Sequence, residues 1–301
     1  MPTDPYFIVN PAAAGGRALR WWRHALPVLQ RRLGPLDHAV VRERAALPEI
    51  IESAVECGHD RLVGVGGDGT HHAIVNALVD RRLTDRLTYV PLPLGSGNDW
   101  CRTLNVPRHL VRWLQTYREE RTIQHRIGGL SYGAGSRVQY FINVAGLAYD
   151  AEVVRRCSRT RWKHGLLYPL FTAAYLPAYR PPELRLTYDG TSVEGRFHTI
   201  NLGIGRYNGG GMQPVPQADP TADTLALTYA VNTPVHRIIR NSWRLFTPTI
   251  GSTAGVTTTH AREIMVTGPT GLEADGEWLG TGPVRAALIG QRLRVVCGWP
   301  V

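Results

Sequence analysis

A short segment with three glycines and one carboxylate is the clearest sign of chemistry in this sequence. The run Gly66-Gly67-Asp68-Gly69-Thr70 follows an apolar stretch and precedes a second one at residues 71–78. This pattern predicts a strand, a tight turn and a helix, in which glycines admit an anion close to the backbone and the helix N-terminus favours negative charge. Thr70 is predicted to cap that helix.

The carboxylate of Asp68 refines this interpretation, because it would repel a bare phosphate. It indicates either a divalent cation between the carboxylate and a phosphate, or a side chain that orients a water molecule or a neighbouring amide. The alternative is an ordinary strand-to-helix turn, since glycine and aspartate are also common turn residues.

A second loop has a similar composition about 30 residues later. Gly95-Ser96-Gly97-Asn98-Asp99 follows the apolar stretch that starts at Tyr89. Taken alone, this loop is as typical of a turn as of a binding site. Two such loops, joined by an α/β unit, are expected to face one ligand.

The chain resembles a known family over nearly its whole length, the diacylglycerol kinase catalytic domain shared by bacterial lipid kinases, eukaryotic diacylglycerol kinases and sphingosine kinases. The segments that carry the resemblance occur in the family's order and spacing, and they are residues 8–17, 66–70, 93–99, 143–151, 209–212 and 275–277. The resemblance implies an N-terminal three-layer α/β/α nucleotide-binding domain, like that of NAD kinases and phosphofructokinases. It also implies a C-terminal antiparallel β-sandwich-like domain, with ATP and lipid meeting in the cleft between the two.

The reaction implied by this resemblance is transfer of the γ-phosphoryl group of ATP to a lipid hydroxyl, with Mg²⁺ as cofactor, in phospholipid metabolism. Glu277 would be the general base, with Asp275 assisting it if the turn brings both side chains inward, and Asp68 matches the family's essential aspartate. The expected nucleotide-binding residues are Asn10, Gly66, Gly67, Asp68, Gly69, Thr70, His71, His72, Ser96, Asn98 and Asp99. In a regular strand the spacing of Asp275 and Glu277 would place both on one face, whereas a plain hairpin turn is the alternative.

A metal loop is also implied by the resemblance. Asp223, with the carbonyl oxygens of Pro220 and Leu225, would hold a structural Mg²⁺. Without the resemblance, one aspartate in a loop is a weak metal signal.

The sequence departs from the family's pattern at several of these places. His71-His72-Ala73 replaces an apolar residue followed by Asn-Glu, which removes a carboxylate, Ala148 replaces a usual glycine, and Thr224 replaces the glycine of an Asp-Gly pair. Arg126 falls at or next to a position where many relatives carry an aspartate of the magnesium network. An arginine at that position would imply that Mg²⁺ is held differently, or that the acceptor is not diacylglycerol.

The order of predicted elements agrees with two domains. Alternating strands and helices over residues 1–127 predict a mostly parallel sheet, and the resemblance implies that this domain binds ATP. From residue 128 to 287, short alternating segments predict an antiparallel β domain, interrupted by a helical stretch near 152–178, and the resemblance implies that this domain takes the lipid substrate. The resemblance also implies that residues 288–301 return to the first domain.

Composition restricts the cellular setting. Four widely separated cysteines suggest neither a zinc cluster nor a disulfide framework, and no signal sequence or apolar stretch long enough to span a bilayer is evident, so a cytoplasmic protein is expected. The net charge of +10 and a single lysine, Lys163, accompany no nucleic-acid-binding motif, so no nucleic acid partner is predicted.

Peripheral contact with the inner face of a membrane is a further expectation. The basic run Arg155–His164 precedes the aromatic, proline-broken stretch Gly165–Tyr179, a combination that suits an anionic leaflet. A solvated basic face followed by a buried helix is the alternative, and Trp21-Trp22 is a second possible contact that is also typical of core packing. A homodimer remains open.

Three functions are therefore distinguished. The first is a lipid kinase for diacylglycerol or a related lipid alcohol. NAD kinase is disfavoured because the Asn98-Asp99 loop and the late Asp275-Gly276-Glu277 do not suit that family. A catalytically silent nucleotide- or lipid-binding regulator would keep the glycine loops and transfer no phosphate.

Overall fold

The computed structural model describes residues 4–133, 138–158 and 175–298. The chain divides into two compact units. Unit 1 comprises Met1–His125 and Gln291–Val301, and unit 2 comprises Arg126–Gly290.

Unit 1 contains a parallel sheet with strand order β2-β1-β3-β4. Its strands are β1 (Tyr6–Val9), β2 (Asp37–Val40), β3 (Arg61–Gly66) and β4 (Thr88–Pro93). Its helices are α1 (Ala18–Leu33), α2 (Leu47–Glu56), α3 (Asp68–Asp80), α4 (Asp99–Thr103) and α5 (Leu110–Glu119). Val9 pairs with Val65 and Gly66 pairs with Pro93, so the carboxyl ends of β1, β3 and β4 lie at one edge of the sheet.

Apolar residues explain why these strands are central. Phe7, Val9, Val63 and Val65 are all fully buried, and β3 is apolar along almost its whole length. Near-continuous apolar runs are typical of parallel strands that are covered on both faces. The predicted α/β architecture of the first domain is therefore confirmed.

Unit 2 is mainly antiparallel. Its strands are β5 (Thr122–Tyr132), which starts in unit 1, β6 (Val138–Phe141), β7 (Val144–Ala148), β8 (Glu183–Tyr188), β9 (Thr191–Gly203), β10 (Leu225–Val231), β11 (Val256–Ala261), β12 (Glu263–Thr267), β13 (Gly271–Ala274) and β14 (Glu277–Thr281). The long strand β9 pairs with β8 through its first half and with β7 and β10 through its second half, and so belongs to two sheets. Buried side chains from these strands, such as Leu186, Phe197 and Leu272, form one core. The predicted β-sandwich-like architecture is confirmed.

Three further elements complete the description. Helix α6 (Tyr149–Ser158) follows β7, and helix α7 (Val235–Asn241) is continued by a 3₁₀ turn, Ser242–Phe246. Strand β15 (Val284–Val296) pairs with β12 in unit 2 and ends in unit 1, where Val295 lies parallel to Tyr89 of β4. Within the described ranges, no helix is both long and apolar enough to cross a bilayer.

Candidate active site

The two glycine loops of unit 1 pack directly against each other. A Cβ atom on Gly95 would lie 2.5 Å from Cα of Gly67, and a Cβ on Gly67 would lie 2.9 Å from Cα of Gly95. The N–H of Leu94 donates to the carbonyl oxygen of Gly66 at 2.6 Å. The structure thus brings the two loops together at the carboxyl edge of the sheet, where open α/β sheets bind ligands.

Asn98 holds the second loop in shape. Its backbone is left-handed, with φ of 55°, a conformation that asparagine tolerates better than most residues. Its side-chain oxygen accepts from the N–H of Gly95 at 2.7 Å, and its side-chain nitrogen donates to the Gly95 carbonyl at 2.9 Å. Arg108 Nη2 donates to the same carbonyl at 2.7 Å, a contact that sequence analysis missed. Ser96 is exposed in this loop.

The carboxylates of Asp68 and Asp99 converge on the second loop at Gly97. Oδ2 of Asp68 and Oδ2 of Asp99 lie 3.1 and 3.3 Å from the position that a Cβ on Gly97 would occupy. The other oxygen of Asp68 accepts from the backbone N–H of Trp100 at 3.1 Å. Two carboxylates beside a glycine turn form an oxygen donor set that suits Mg²⁺, which proteins commonly hold through one or two carboxylates together with substrate phosphates. Arg102 Nε lies 3.7 Å from Oδ1 of Asp99, on the other oxygen of that carboxylate. The Oδ2 atoms of both aspartates face Gly97, so these residues fit the implied cofactor.

Asn10 and Thr70 connect β1 to the start of α3. Asn10 Nδ2 donates to Thr70 Oγ1 at 2.8 Å, and Asn10 Oδ1 accepts from the N–H of Ala12 at 2.9 Å. The helix begins at Asp68 with Gly67 at the N-cap position and no side-chain cap. The prediction that Thr70 caps the helix is therefore wrong, because the helix starts two residues earlier and the hydroxyl bonds to Asn10.

His71 lies in the core of unit 1, with no exposed surface. Its Nδ1 is 2.8 Å from the Tyr89 hydroxyl and its Nε2 is 3.7 Å from Cys101 Sγ. Burial lowers the pKa of His71 to about 3, against a backbone hydrogen bond at Gly66 that raises it. A neutral, buried imidazole has a packing role here, which replaces the predicted nucleotide contact. His72 is also buried, with 4% of its surface exposed.

In unit 2, the Asp275-Gly276 pair forms the two-residue turn between β13 and β14. Both residues have positive φ, 50° and 83°, as a type I′ hairpin turn requires. The regular-strand geometry that would place Asp275 and Glu277 on one face does not occur, because this turn separates them. Glu277 is half-buried at the first position of β14.

The carboxylate of Asp275 binds backbone amides. Oδ2 accepts from the N–H of Ile142 at 3.0 Å, and Oδ1 accepts from the N–H of Asn143 at 2.9 Å. The Asn143 side chain donates in turn to the carbonyl oxygen of Tyr207 at 2.7 Å. Segments 143–151 and 275–277 are therefore joined in space, and Asp275 fixes the turn that carries Glu277.

Glu273 is a buried carboxyl next to this turn that sequence analysis missed. It has no exposed surface, and its Oε2 accepts from the N–H of Gly276 at 2.9 Å. Because β13 pairs with β7 on one side and β14 on the other, this strand position is internal. In the sequence, the only feature that pointed to Glu273 was a carboxylate four positions before Glu277.

The loop predicted to hold a structural Mg²⁺ contains an ion pair instead. Arg126 Nε lies 3.5 Å from Asp223 Oδ1, and the backbone N–H of Arg126 donates to the Pro220 carbonyl at 2.7 Å. The Asp223 side chain is 75% exposed, and Leu225 begins β10. Among the residues described, no three His, Cys, Asp or Glu side chains cluster as metal ligands. A guanidinium beside the one carboxylate does not fit a divalent cation, which corrects the prediction for Asp223, Pro220 and Leu225.

We expect Mg²⁺ to leave the thermal stability of the nucleotide-free protein unchanged, because Arg126 supplies the positive charge at the Asp223 loop. An Arg126→Asp variant would place two carboxylates at this loop, so its melting temperature should rise when Mg²⁺ is added. The melting temperature of Arg126→Gln should not depend on Mg²⁺. Calorimetry with and without Mg²⁺ measures this. A wild-type melting temperature that rises with Mg²⁺ and loses that rise in Asp223→Asn would contradict the expectation.

Comparisons with known proteins agree with this two-unit structure. Residues 4–130 match the family described as the diacylglycerol kinase catalytic domain, and residues 143–297 match the YegS C-terminal NAD kinase beta sandwich-like domain. The second match covers more than half of the chain.

Relatives of similar length support the same assignment. "Putative lipid kinase YtlR" of Bacillus subtilis is 26% identical, over 96% of this chain and 98% of that protein. A diacylglycerol kinase of Mycobacterium tuberculosis is 26% identical, over 96% of this chain and 93% of that protein. The crystal structure of a diacylglycerol kinase from Bacillus anthracis superimposes with a TM-score of 0.75 at 19% identity, over 98% of this chain and 97% of that chain, and shares the fold. The chain therefore belongs to the diacylglycerol kinase catalytic-domain family of lipid kinases, which are phosphotransferases.

Proposed function

We propose that this protein is an ATP- and Mg²⁺-dependent kinase that transfers the γ-phosphoryl group to a hydroxyl of diacylglycerol or a related membrane lipid. The observation that carries the proposal is the convergence of Asp68 and Asp99 at Gly97, beside two loops packed through Gly67 and Gly95. The names of the relatives support a diacylglycerol-like acceptor.

Unit 1 has the parts that a phosphoryl donor needs. The glycine loops and the N-terminus of α3 offer backbone amides to phosphate oxygens. Asp68 and Asp99 would hold Mg²⁺, which when bound neutralises charge on the transferring phosphoryl group. Asn98 and Arg108 keep the second loop closed around Gly95, so the amides are positioned before the nucleotide arrives.

Unit 2 supplies the acceptor side of the reaction. Glu277 accepts the proton of the attacking lipid hydroxyl, as a general base must. Its position is set by the type I′ turn, which Asp275 anchors to Ile142 and Asn143. Asp275 thus positions the base, because both of its oxygens already accept from backbone amides.

One observation favours a second candidate, a nucleotide- or lipid-binding regulator without turnover. The family's metal loop is occupied by the Arg126–Asp223 ion pair, so one part of the family's magnesium chemistry is altered. The glycine loops and Glu277 are retained, which is why the kinase remains the first proposal.

Transfer of labelled γ-phosphate from ATP into lipid vesicles tests the proposal. We expect organic-phase label with wild type, and a loss of about 100-fold or more in Glu277→Ala and in Asp68→Ala, as is usual when a general base or an electrostatic anchor is removed. Glu194→Ala, which removes an exposed ion pair with Arg185, is the matched control and should retain activity.

Each other outcome has a defined meaning. ATP binding without label in any lipid would overturn the kinase proposal and favour the silent regulator. Label transferred to added NAD, and not to lipid, would favour NAD kinase.

A further inference from the structure

Three large apolar side chains are exposed together on unit 2. Ile239, Trp243 and Phe246 are 45%, 57% and 54% exposed, and they follow one another at intervals of four and three residues along α7 and its 3₁₀ turn. The other large exposed apolar side chains of the described ranges lie on separate elements, and they are Val40, Val111, Val138 and Met265. A cluster of this kind marks an interaction site more often than scattered residues do.

The cluster is exposed on an anchored segment. Within α7 itself, Val235 and Ile238 pack against the core of unit 2. Arg244 Nη1 donates to the carbonyl oxygen of Thr249 at 3.2 Å, which ties the 3₁₀ turn to the chain that follows. The segment therefore presents Trp243 and Phe246 outward from a fixed base.

The charge along the segment that carries the cluster is of one sign. No aspartate or glutamate occurs between Asp223 and Glu263. Three arginines lie within the segment, Arg237, Arg240 and Arg244, and the Arg244 guanidinium lies 5.2 Å from the centre of the Trp243 ring. Aromatic rings flanked by arginines match the interface of a bilayer with anionic headgroups.

We propose that residues 235–246, the α7 patch, dock this protein on an anionic phospholipid bilayer. The proposal rests on the lipid-kinase function, because such an enzyme must reach an acceptor that stays in the membrane. Trp243, Phe246 and Ile239 enter the headgroup region, and the exposed Arg240 contacts lipid phosphates. Charge complementarity selects the bilayer over a second copy of this chain, which is itself strongly basic.

The α7 patch differs from the contacts that the sequence predicted. In the basic run Arg155–His164, both Arg155 and Arg156 bond to Glu152 at 2.7 Å, and residues 159–174 lie outside the described part of the chain. Of the tryptophan pair Trp21-Trp22, Trp22 is 2% exposed and packs against Phe7 in the core of unit 1.

Sedimentation with vesicles tests the docking surface. Wild type should bind phosphatidylglycerol vesicles more tightly than phosphatidylcholine vesicles. The double variant Trp243→Ser/Phe246→Ser should bind about tenfold more weakly or worse, because both side chains lose apolar burial. Arg240→Gln should cost about fivefold. Val111→Ser, at a site 59% exposed in unit 1, and Arg31→Gln are the matched controls and should bind like wild type.

A second assay separates docking from catalysis. With a short-chain diacylglycerol that is monomeric in solution, the double variant should transfer phosphate as fast as wild type, while its rate on vesicle-borne lipid falls. If vesicle binding depends on the α7 patch but no phosphate is transferred to either substrate, the docking proposal is supported and the kinase proposal is overturned. Equal vesicle binding by wild type and double variant would overturn the docking proposal. It would also be overturned if the wild type were a dimer that does not bind vesicles and that Trp243→Ser dissociates.

Discussion

Replacing Gly95 by alanine should lower the rate of phosphoryl transfer by about 100-fold or more. The added methyl group would lie 2.5 Å from Cα of Gly67 and 2.7 Å from Oδ1 of Asn98, and neither the backbone atom nor the clamping amide can move away without opening the contact between the loops. Misplacing groups that surround a reacting phosphate by about 1 Å costs on this order. Steady-state transfer of labelled phosphate, together with nucleotide affinity by calorimetry, measures the effect.

The matched control is Gly290→Ala, the same substitution at a glycine whose added Cβ would meet no atom within 4 Å. It should leave both transfer and nucleotide affinity unchanged. Gly95→Ala should fold, because the change lies in a partly exposed loop at the sheet edge and removes no core side chain. A folded Gly95→Ala protein with wild-type transfer would contradict the role given to the packed loops.

Local patterns were sufficient to predict the two glycine loops of unit 1. The strand, turn and helix around Asp68 follow from neighbouring residues, because apolar runs and glycines act over a few positions. That the loops at Gly67 and Gly95 meet also follows from sequence, since parallel neighbouring strands end at the same edge. The fold class, two glycine loops and the resemblance together gave the architecture that the structure confirms.

The parts that sequence could not supply depend on contacts between distant residues. His71 is buried because Tyr89 and Cys101 surround it, and nothing in residues 66–78 shows which face of α3 turns inward. Arg126 meets Asp223 across almost a hundred residues, so the ion pair between this departure from the family's pattern and the predicted metal ligand is visible only after folding. The burial of Glu273 likewise arises from strand pairing on both sides of β13.

Glu273 lies in a buried polar cluster with Asp150 and Asn201, and we expect its carboxyl to be protonated there. Its Oε1 and the Oδ1 of Asn201 lie 2.7 and 3.4 Å from the position of a Cβ on Gly146, and neither atom has a hydrogen-bond partner among the described residues. A proton on Glu273 would make its carboxyl a donor in this cluster, where both of these oxygens lack one. Burial raises the pKa of Glu273 well above its usual value, a hydrogen bond from Gly276 lowers it, and the carboxyls of Asp150 and Asp275 raise it further.

Asp150, from α6, is the other buried acid of the cluster. Burial raises the pKa of Asp150, against hydrogen bonds from Thr199 and Asn201 that lower it. The Thr199 hydroxyl donates to its Oδ2, and Asn201 Nδ2 donates to Thr199 Oγ1 at 2.8 Å. Asp150 therefore has donors to its carboxyl and Glu273 has only the Gly276 amide, so Glu273 is the group expected to stay protonated.

Glu273→Gln should therefore stabilise the protein increasingly as pH rises. In the unfolded chain Glu273 ionises near pH 4.3, whereas in the folded chain its raised pKa keeps the proton, so the folded state binds more protons and wild-type stability falls as pH rises between the two pKa values. Glutamine cannot ionise, so its advantage over glutamate should be small near pH 4 and grow by up to about 1.4 kcal/mol per pH unit above it. Urea unfolding of both proteins between about pH 4 and pH 8 measures the difference, with Glu56→Gln, at an exposed site on α2, as the control that should show no such trend. A difference in unfolding free energy between Glu273→Gln and wild type that stays constant across this range would mean that folding does not change the protonation of Glu273. It would contradict the proton that we place on Glu273, beside the hairpin that carries Glu277.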